Sequence, residues 1–101
     1  MPVLHVVSGS PQGSHALAHC LARVQEGDAL LLSENGVYAA LVDSAACRSL
    51  NVFPRLSVYA LTPDLEARGI AFDELWPGVE RIDYEGFVDL AVRYPISLSW
   101  F

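Results

Sequence analysis

Apolar residues in this chain follow two rhythms, short compact runs and stretches at helical spacing, and the two alternate from one end to the other. Leu4-His5-Val6-Val7 predicts a short buried strand. Ala16, Leu17, Cys20, Leu21 and Val24 then fall at helical spacing, and Gly27 is placed to end that helix. In the loop before it, Ser10-Pro11 and Ser14 are the candidate helix starts. Ala29-Leu30-Leu31-Leu32 is an unbroken apolar run, which suits an interior parallel strand covered on both faces. Ser33-Glu34-Asn35-Gly36 predicts a turn. Asn-Gly between two alternating strands would signal a hairpin, but Val37-Tyr38-Ala39-Ala40-Leu41 is alanine-rich and predicts a helical turn instead.

Asp43 or Ser44 can cap a second short helix over residues 45–50. Leu56-Ser57-Val58-Tyr59-Ala60-Leu61 predicts a third strand. Thr62-Pro63 has the chemistry of a helix start, and Gly69 stops that helix after Arg68. Residues 70–78 form a loop ending in Trp76-Pro77-Gly78, followed by a fourth strand, Val79-Glu80-Arg81-Ile82. Asp83 caps an amphipathic helix with Phe87, Leu90, Ala91 and Tyr94 along one side, and Pro95 ends it. Ile96-Ser97-Leu98-Ser99-Trp100-Phe101 alternates and predicts a terminal strand. The order predicts an α/β protein with right-handed crossovers onto a mainly parallel sheet flanked by helices, in one domain over residues 1–101.

Composition changes that picture in one respect. Hydrophobic residues make up 52% of the 101, and the mean hydropathy of +0.32 is high for so small a chain. No apolar run approaches the ~18 residues of a membrane span, and MPVLHVVSGS does not read as a signal peptide. The excess therefore implies either apolar surface buried against partner subunits or an unusually apolar core.

Charge excludes a function class. The net charge is −6, and the six basic residues, Arg23, Arg48, Arg55, Arg68, Arg81 and Arg93, form no run. A direct nucleic-acid binder needs a basic patch to release counterions. Two cysteines, Cys20 and Cys47, form neither a CxxC motif nor a disulfide framework, so a reducing cytoplasmic setting is expected.

Cys20 is the first candidate for chemistry. A reactive thiol needs a helix N-terminus, a cation or a metal to lower its pKa. Cys20 lies several residues into its helix, with His19 beside it and Arg23 three positions on, while its apolar phase points to the core. Sulfur handling and simple packing both stay open. His15 and His19, at i and i+4, can share a helix side, but no third ligand is placed by spacing and no metal is expected. His5 sits on a strand apart from them. Gly9 and Gly13 lie between strand and helix, yet the loop is neither G-x-G-x-x-G nor a Walker loop, and a turn leading into the helix is expected, with no cofactor. A nucleotide- or flavin-binding module using residues 8–14 is the contrasting hypothesis. Cys47, on a short apolar helix, suits inert packing. Asp64, Glu66, Asp73, Glu74, Glu80, Asp83, Glu85 and Asp89 make the C-terminal half acidic, with no spacing that specifies acid–base catalysis. Trp76 and Trp100 suit core or interface positions.

Several segments together resemble the DsrH/TusB family. They are Leu4-His5, Ser10-Pro11, Glu26-Gly27-Asp28-Ala29-Leu30-Leu31-Leu32 and Asn35-Gly36-Val37-Tyr38-Ala39-Ala40. They continue with Val58-Tyr59-Ala60-Leu61-Thr62-Pro63-Asp64-Leu65-Glu66-Ala67-Arg68-Gly69, Ile82-Asp83-Tyr84-Glu85-Gly86-Phe87-Val88-Asp89-Leu90 and Ser99-Trp100. The resemblance spans essentially the whole chain. It implies a small DsrE-like (Rossmann/flavodoxin-like) fold and a cytoplasmic sulfur-relay, or sulfurtransferase, complex of TusBCD or DsrEFH type. Such complexes look like heterohexamers of three related subunits. The partners implied are a TusC/DsrF-like and a TusD/DsrE-like chain, with a sulfur-carrier protein reached through the complex and neither nucleic acid nor membrane bound directly. The implied function is passage of persulfide sulfur toward 2-thiouridine at the tRNA wobble position; the alternative is dissimilatory sulfur oxidation as a DsrH subunit. The resemblance implies that the principal acceptor cysteine lies in the TusD/DsrE-like chain, and so that this chain is a non-catalytic or accessory subunit of a sulfurtransferase complex. Cys20 falls where DsrH-type members carry a cysteine, so the resemblance implies a secondary sulfur acceptor there.

Overall fold

The computed structural model describes residues 1–53 and 55–101. Its strands are β1 (Val3–Val7), β2 (Ala29–Leu32), β3 (Ser57–Leu61), β4 (Val79–Ile82) and β5 (Ile96–Trp100). They form one five-stranded sheet of order β4-β3-β2-β1-β5, and every neighbouring pair is parallel. The helices are α1 (Ala16–Leu21), α2 (Ala45–Asn51), α3 (Thr62–Ala67) and α4 (Tyr84–Arg93), with 3₁₀ segments at Glu34–Ala40 and Phe72–Glu74. β2 lies in the middle and all four of its residues are buried, as its unbroken apolar run requires.

Crossover handedness explains how the helices divide. The chain steps in one direction from β1 through β2 and β3 to β4, then returns to the far edge for β5. Right-handed connections place the helices of the outward steps on one face and the helix of the return step on the other. The two apolar clusters follow this division. Val7, Leu30, Leu32, Val58 and Ala60 pack with Leu17 and Cys20 of α1, Leu50 of α2 and Leu65 of α3. On the opposite face Leu4, Ala29, Leu31 and Leu61 pack with Leu90 of α4.

The predicted elements are all present, with local differences. α1 stops at Leu21, so Val24 lies beyond it. The Arg23 N–H bonds to the Cys20 carbonyl at 2.9 Å, tightening the last turn. The chain then makes a turn closed by the Asp28 N–H on the Gln25 carbonyl at 3.0 Å. Gly27, with φ +93°, occupies the position of that turn which needs positive φ, so its role is in the turn and not as the helix stop. Ser10 caps no helix: its Oγ accepts the N–H groups of Gln12 and Gly13 in a local turn, whereas Ser14 Oγ accepts the Ala16 N–H at 3.0 Å. Ser44, not Asp43, caps α2, accepting the Cys47 N–H at 3.0 Å. Thr62 is the first residue of α3 and its side chain makes no cap. Asp83 caps α4 through the Gly86 N–H at 2.9 Å, as expected.

The expected turn and helical turn after β2 merge into the 3₁₀ segment Glu34–Ala40, which is pinned to the end of β1 by the Ser33 N–H on the Val7 carbonyl at 3.0 Å. Gly36 makes that approach possible, since a Cβ there would sit 2.2 Å from the Val7 carbonyl oxygen.

Candidate functional site

Cys20 points inward from α1, as its helical phase requires, and is 0% exposed. Burial pushes its thiol up to about 12, and the negative charge of Asp28 adds to the shift. Arg23, three positions on, is exposed, and the charge acting on the thiol is that of Asp28. A thiol raised this far holds little of the thiolate needed for nucleophilic attack. Cys47 is likewise buried, and burial is also the main cause that raises its thiol pKa.

His15 and His19 share one side of α1 and are exposed, with ring centroids 6.0 Å apart. Among the described residues no three His, Cys, Asp or Glu side chains gather as metal ligands would. The acidic residues of the C-terminal half lie largely at the surface, and none is among the buried side chains.

Several polar groups of the loop after β1 bond to the protein itself. The Ser8 N–H bonds to the Trp100 carbonyl at 3.0 Å, and Ser8 Oγ reaches the same oxygen at 3.4 Å. A Cβ on Gly9 would fall 2.6 Å from Ser14 Oγ and 2.8 Å from the Phe101 backbone. At Gly9 the space is therefore taken up by this chain itself, as in a turn leading into α1, whereas a Cβ on Gly13 would meet only Ser10 Cβ at 3.9 Å. Beyond the loop, a cleft of about 460 Å³ separates α1 from the start of α2. Pro11, His15, Leu17, Tyr38, Leu41 and Ser44 help to line it, but neither cysteine does.

The arrangement that sequence reasoning missed is a hydrogen-bonded line across three strands. Among the described residues the buried polar side chains are His5, Asp28 and Ser33. Asp28, just before β2, accepts the Val3 N–H at 2.9 Å, the Gln25 N–H at 3.0 Å and His5 Nε2 at 2.9 Å. His5 Nδ1 in turn takes the indole N–H of Trp100 at 3.1 Å. An indole can only donate, so Nδ1 accepts and the proton of neutral His5 sits on Nε2, directed at the carboxylate. Burial pushes the Asp28 carboxyl up, but the hydrogen bonds from Gln25, His5 and Val3 outweigh it, and the net shift is downward. The line joins β5, β1 and the start of β2, and it is closed to solvent at His5, which is 1% exposed. It holds the sheet together and offers no reacting atom to a substrate. His5 shares a sheet face with Val3 and Val7 by alternation, and Asp28 directly precedes a buried run; those were the only signals in the sequence.

No helix among the described residues is long and apolar enough to cross a membrane. Residues 9–96 match a family described as DsrH like protein. Among curated proteins, TusB of Pectobacterium parmentieri is 41% identical over 99 residues, covering 97% of this chain and 100% of that one. TusB of a Salmonella enteritidis strain is 38% identical over 95 residues, covering 85% and 98%. Among solved structures, the YchN protein from E. coli superposes with a TM-score of 0.79 at 19% identity, covering 98% of this chain and 99% of that one, and so shares the fold. With a matched family model over most of its length and relatives at this identity, the chain belongs to the DsrH/TusB family of sulfur-relay subunits.

Proposed function

We propose that the chain is an accessory subunit of a cytoplasmic complex that passes persulfide sulfur toward 2-thiouridine at the tRNA wobble position. The observation that carries this reading is the near full-length likeness to proteins named TusB. The two related subunits of the complex are a TusC-like and a TusD-like chain.

Persulfide relay proceeds by thiolate attack: the acceptor sulfur bonds to the outer sulfur of the donor persulfide, and the donor thiolate leaves. In the folded chain Cys20 is fully covered and burial pushes its thiol pKa up, which disfavours this attack. The family likeness supports a principal acceptor in the TusD-like partner, and on this reading Cys20 serves as a secondary acceptor only when α1 lifts from the sheet. The match to a DsrH description supports the alternative, a subunit of a DsrEFH complex in sulfur oxidation.

Complementation decides between them. In a bacterium lacking its own TusB, this chain expressed with its TusC-like and TusD-like partners should restore wobble 2-thiouridine, read by mass spectrometry of digested tRNA. Assembly of the complex without any return of 2-thiouridine would favour sulfur oxidation.

A further inference from the structure

The face of the sheet that carries α4 is incompletely covered. Five strands at ~4.8 Å spacing span about 19 Å, whereas one helix with its side chains covers about 10–12 Å. Val6 and Tyr59 on this face are half-buried, and Ser97 and Ser99 are exposed. α4 also has more apolar surface than the sheet uses. Phe87, Leu90 and Tyr94 pack against the strands, while Tyr84, Val88 and Val92, at i, i+4 and i+8, are 59%, 60% and 76% exposed. A helix that only covers a sheet needs one apolar stripe; the second stripe has no partner among the described residues.

Charge decides what covers it. From Glu80 to Arg93 there are four acids, Glu80, Asp83, Glu85 and Asp89, against two bases, Arg81 and Arg93. Arg81 is engaged over the Phe72 ring at 4.2 Å. Two copies of this chain meeting through α4 would bring two acidic surfaces together, in a molecule already at net −6. A surface with an apolar centre and an arginine- or lysine-rich rim would complement it. We propose that the Tyr84–Val88–Val92 stripe of α4 is the docking surface for such a basic-rimmed partner subunit of the relay complex. This inference rests on the assembly reading above.

The test co-expresses the tagged chain with the TusC-like and TusD-like subunits and follows co-purification and size-exclusion elution. Three forms are compared: wild type, Val88→Glu/Val92→Glu, and Val52→Glu, the last at a position 71% exposed just after α2. All substituted positions are solvent-exposed, so circular dichroism should match across the three. Wild type and V52E should assemble, and the double variant should lose about tenfold or more in partner affinity. Glu85→Arg/Asp89→Arg should weaken assembly in the same direction. Full assembly by the double variant would overturn the inference while leaving the relay reading intact. A wild type that binds neither partner would remove the relay-complex reading and this inference together. A homodimer of the isolated chain that the double variant breaks would make a second copy the occupant and overturn the proposal.

Discussion

His5 Nε2 and Asp28 Oδ2 lie 2.9 Å apart, both side chains nearly without solvent contact, whereas the Arg55–Glu26 pair is out in water. The exposed pair contributes little, because solvent screens it. The buried pair matters through what its loss would strand. Asp28→Ala removes the acceptor of three donors, the N–H groups of Val3 and Gln25 and the His5 ring, at the start of the central strand. The expected destabilisation is about 3 kcal/mol, measured by urea unfolding of the isolated chain. An effect under about 0.5 kcal/mol would mean that water replaces the carboxylate and that the line does not hold β1 to β2.

The same carboxylate sets an acid limit. Folding lowers the Asp28 pKa, so its contribution is fully present above the unfolded value of about 3.9 and is lost as pH falls through the lower folded value. Midpoints of urea unfolding should therefore drop from about pH 4 downward, and Asp28→Asn should flatten that drop. An unchanged acid slope in the variant would assign the transition to other carboxylates.

Trp100 makes the tautomer of His5 testable. Nitrogen-15 shifts of the neutral ring should show the proton on Nε2, with Nδ1 in the pyridine-like range. Trp100→Phe keeps the ring against His5 but removes the N–H, leaving Nδ1 without its donor. The expected cost is about 1–2 kcal/mol, with faster hydrogen exchange along β5. A neutral ring protonated on Nδ1 in the wild type would contradict the geometry.

Gly36 shows why some of the chain was legible in advance and some was not. Elements set by local periodicity, such as the β2 run and the capped α4, were readable because their partners lie within a few residues or are simply apolar bulk. The need for glycine at position 36 comes from the carbonyl of Val7, a contact between distant positions that no pattern encodes. The His5–Asp28–Trp100 line is the extreme case, since His5 and Trp100 are separated by almost the whole chain and meet only because β5 returns beside β1. The early end of α1 has the same origin: Asp28 accepts the Gln25 N–H in a turn that competes with helix continuation. For the site itself, the helical phase of Cys20 correctly indicated burial. Arg23, near Cys20 in sequence, is exposed, and the charge that acts on the thiol comes from Asp28, eight positions on.

Cys20 gives the last prediction, which bears on its place in the relay. A thiol at 0% exposure with its pKa pushed up to about 12 should resist alkylation in the native chain and react only as fast as α1 opens. Iodoacetamide followed by intact mass should therefore show almost no modification at pH 8 without denaturant, and two labels per chain in urea, since Cys47 is also buried. Cys20→Ala should alter stability by about 1 kcal/mol or less, because it removes a small side chain from packing rather than a charged partner. In the assembled complex, persulfide on this subunit should be confined to Cys20 and vanish in Cys20→Ser. Rapid native labelling of the isolated chain would mean α1 is open at rest, whereas rapid labelling only in the complex would identify partner binding as what exposes the thiol. Equal persulfide on this subunit with and without Cys20 would leave the residue as core packing alone.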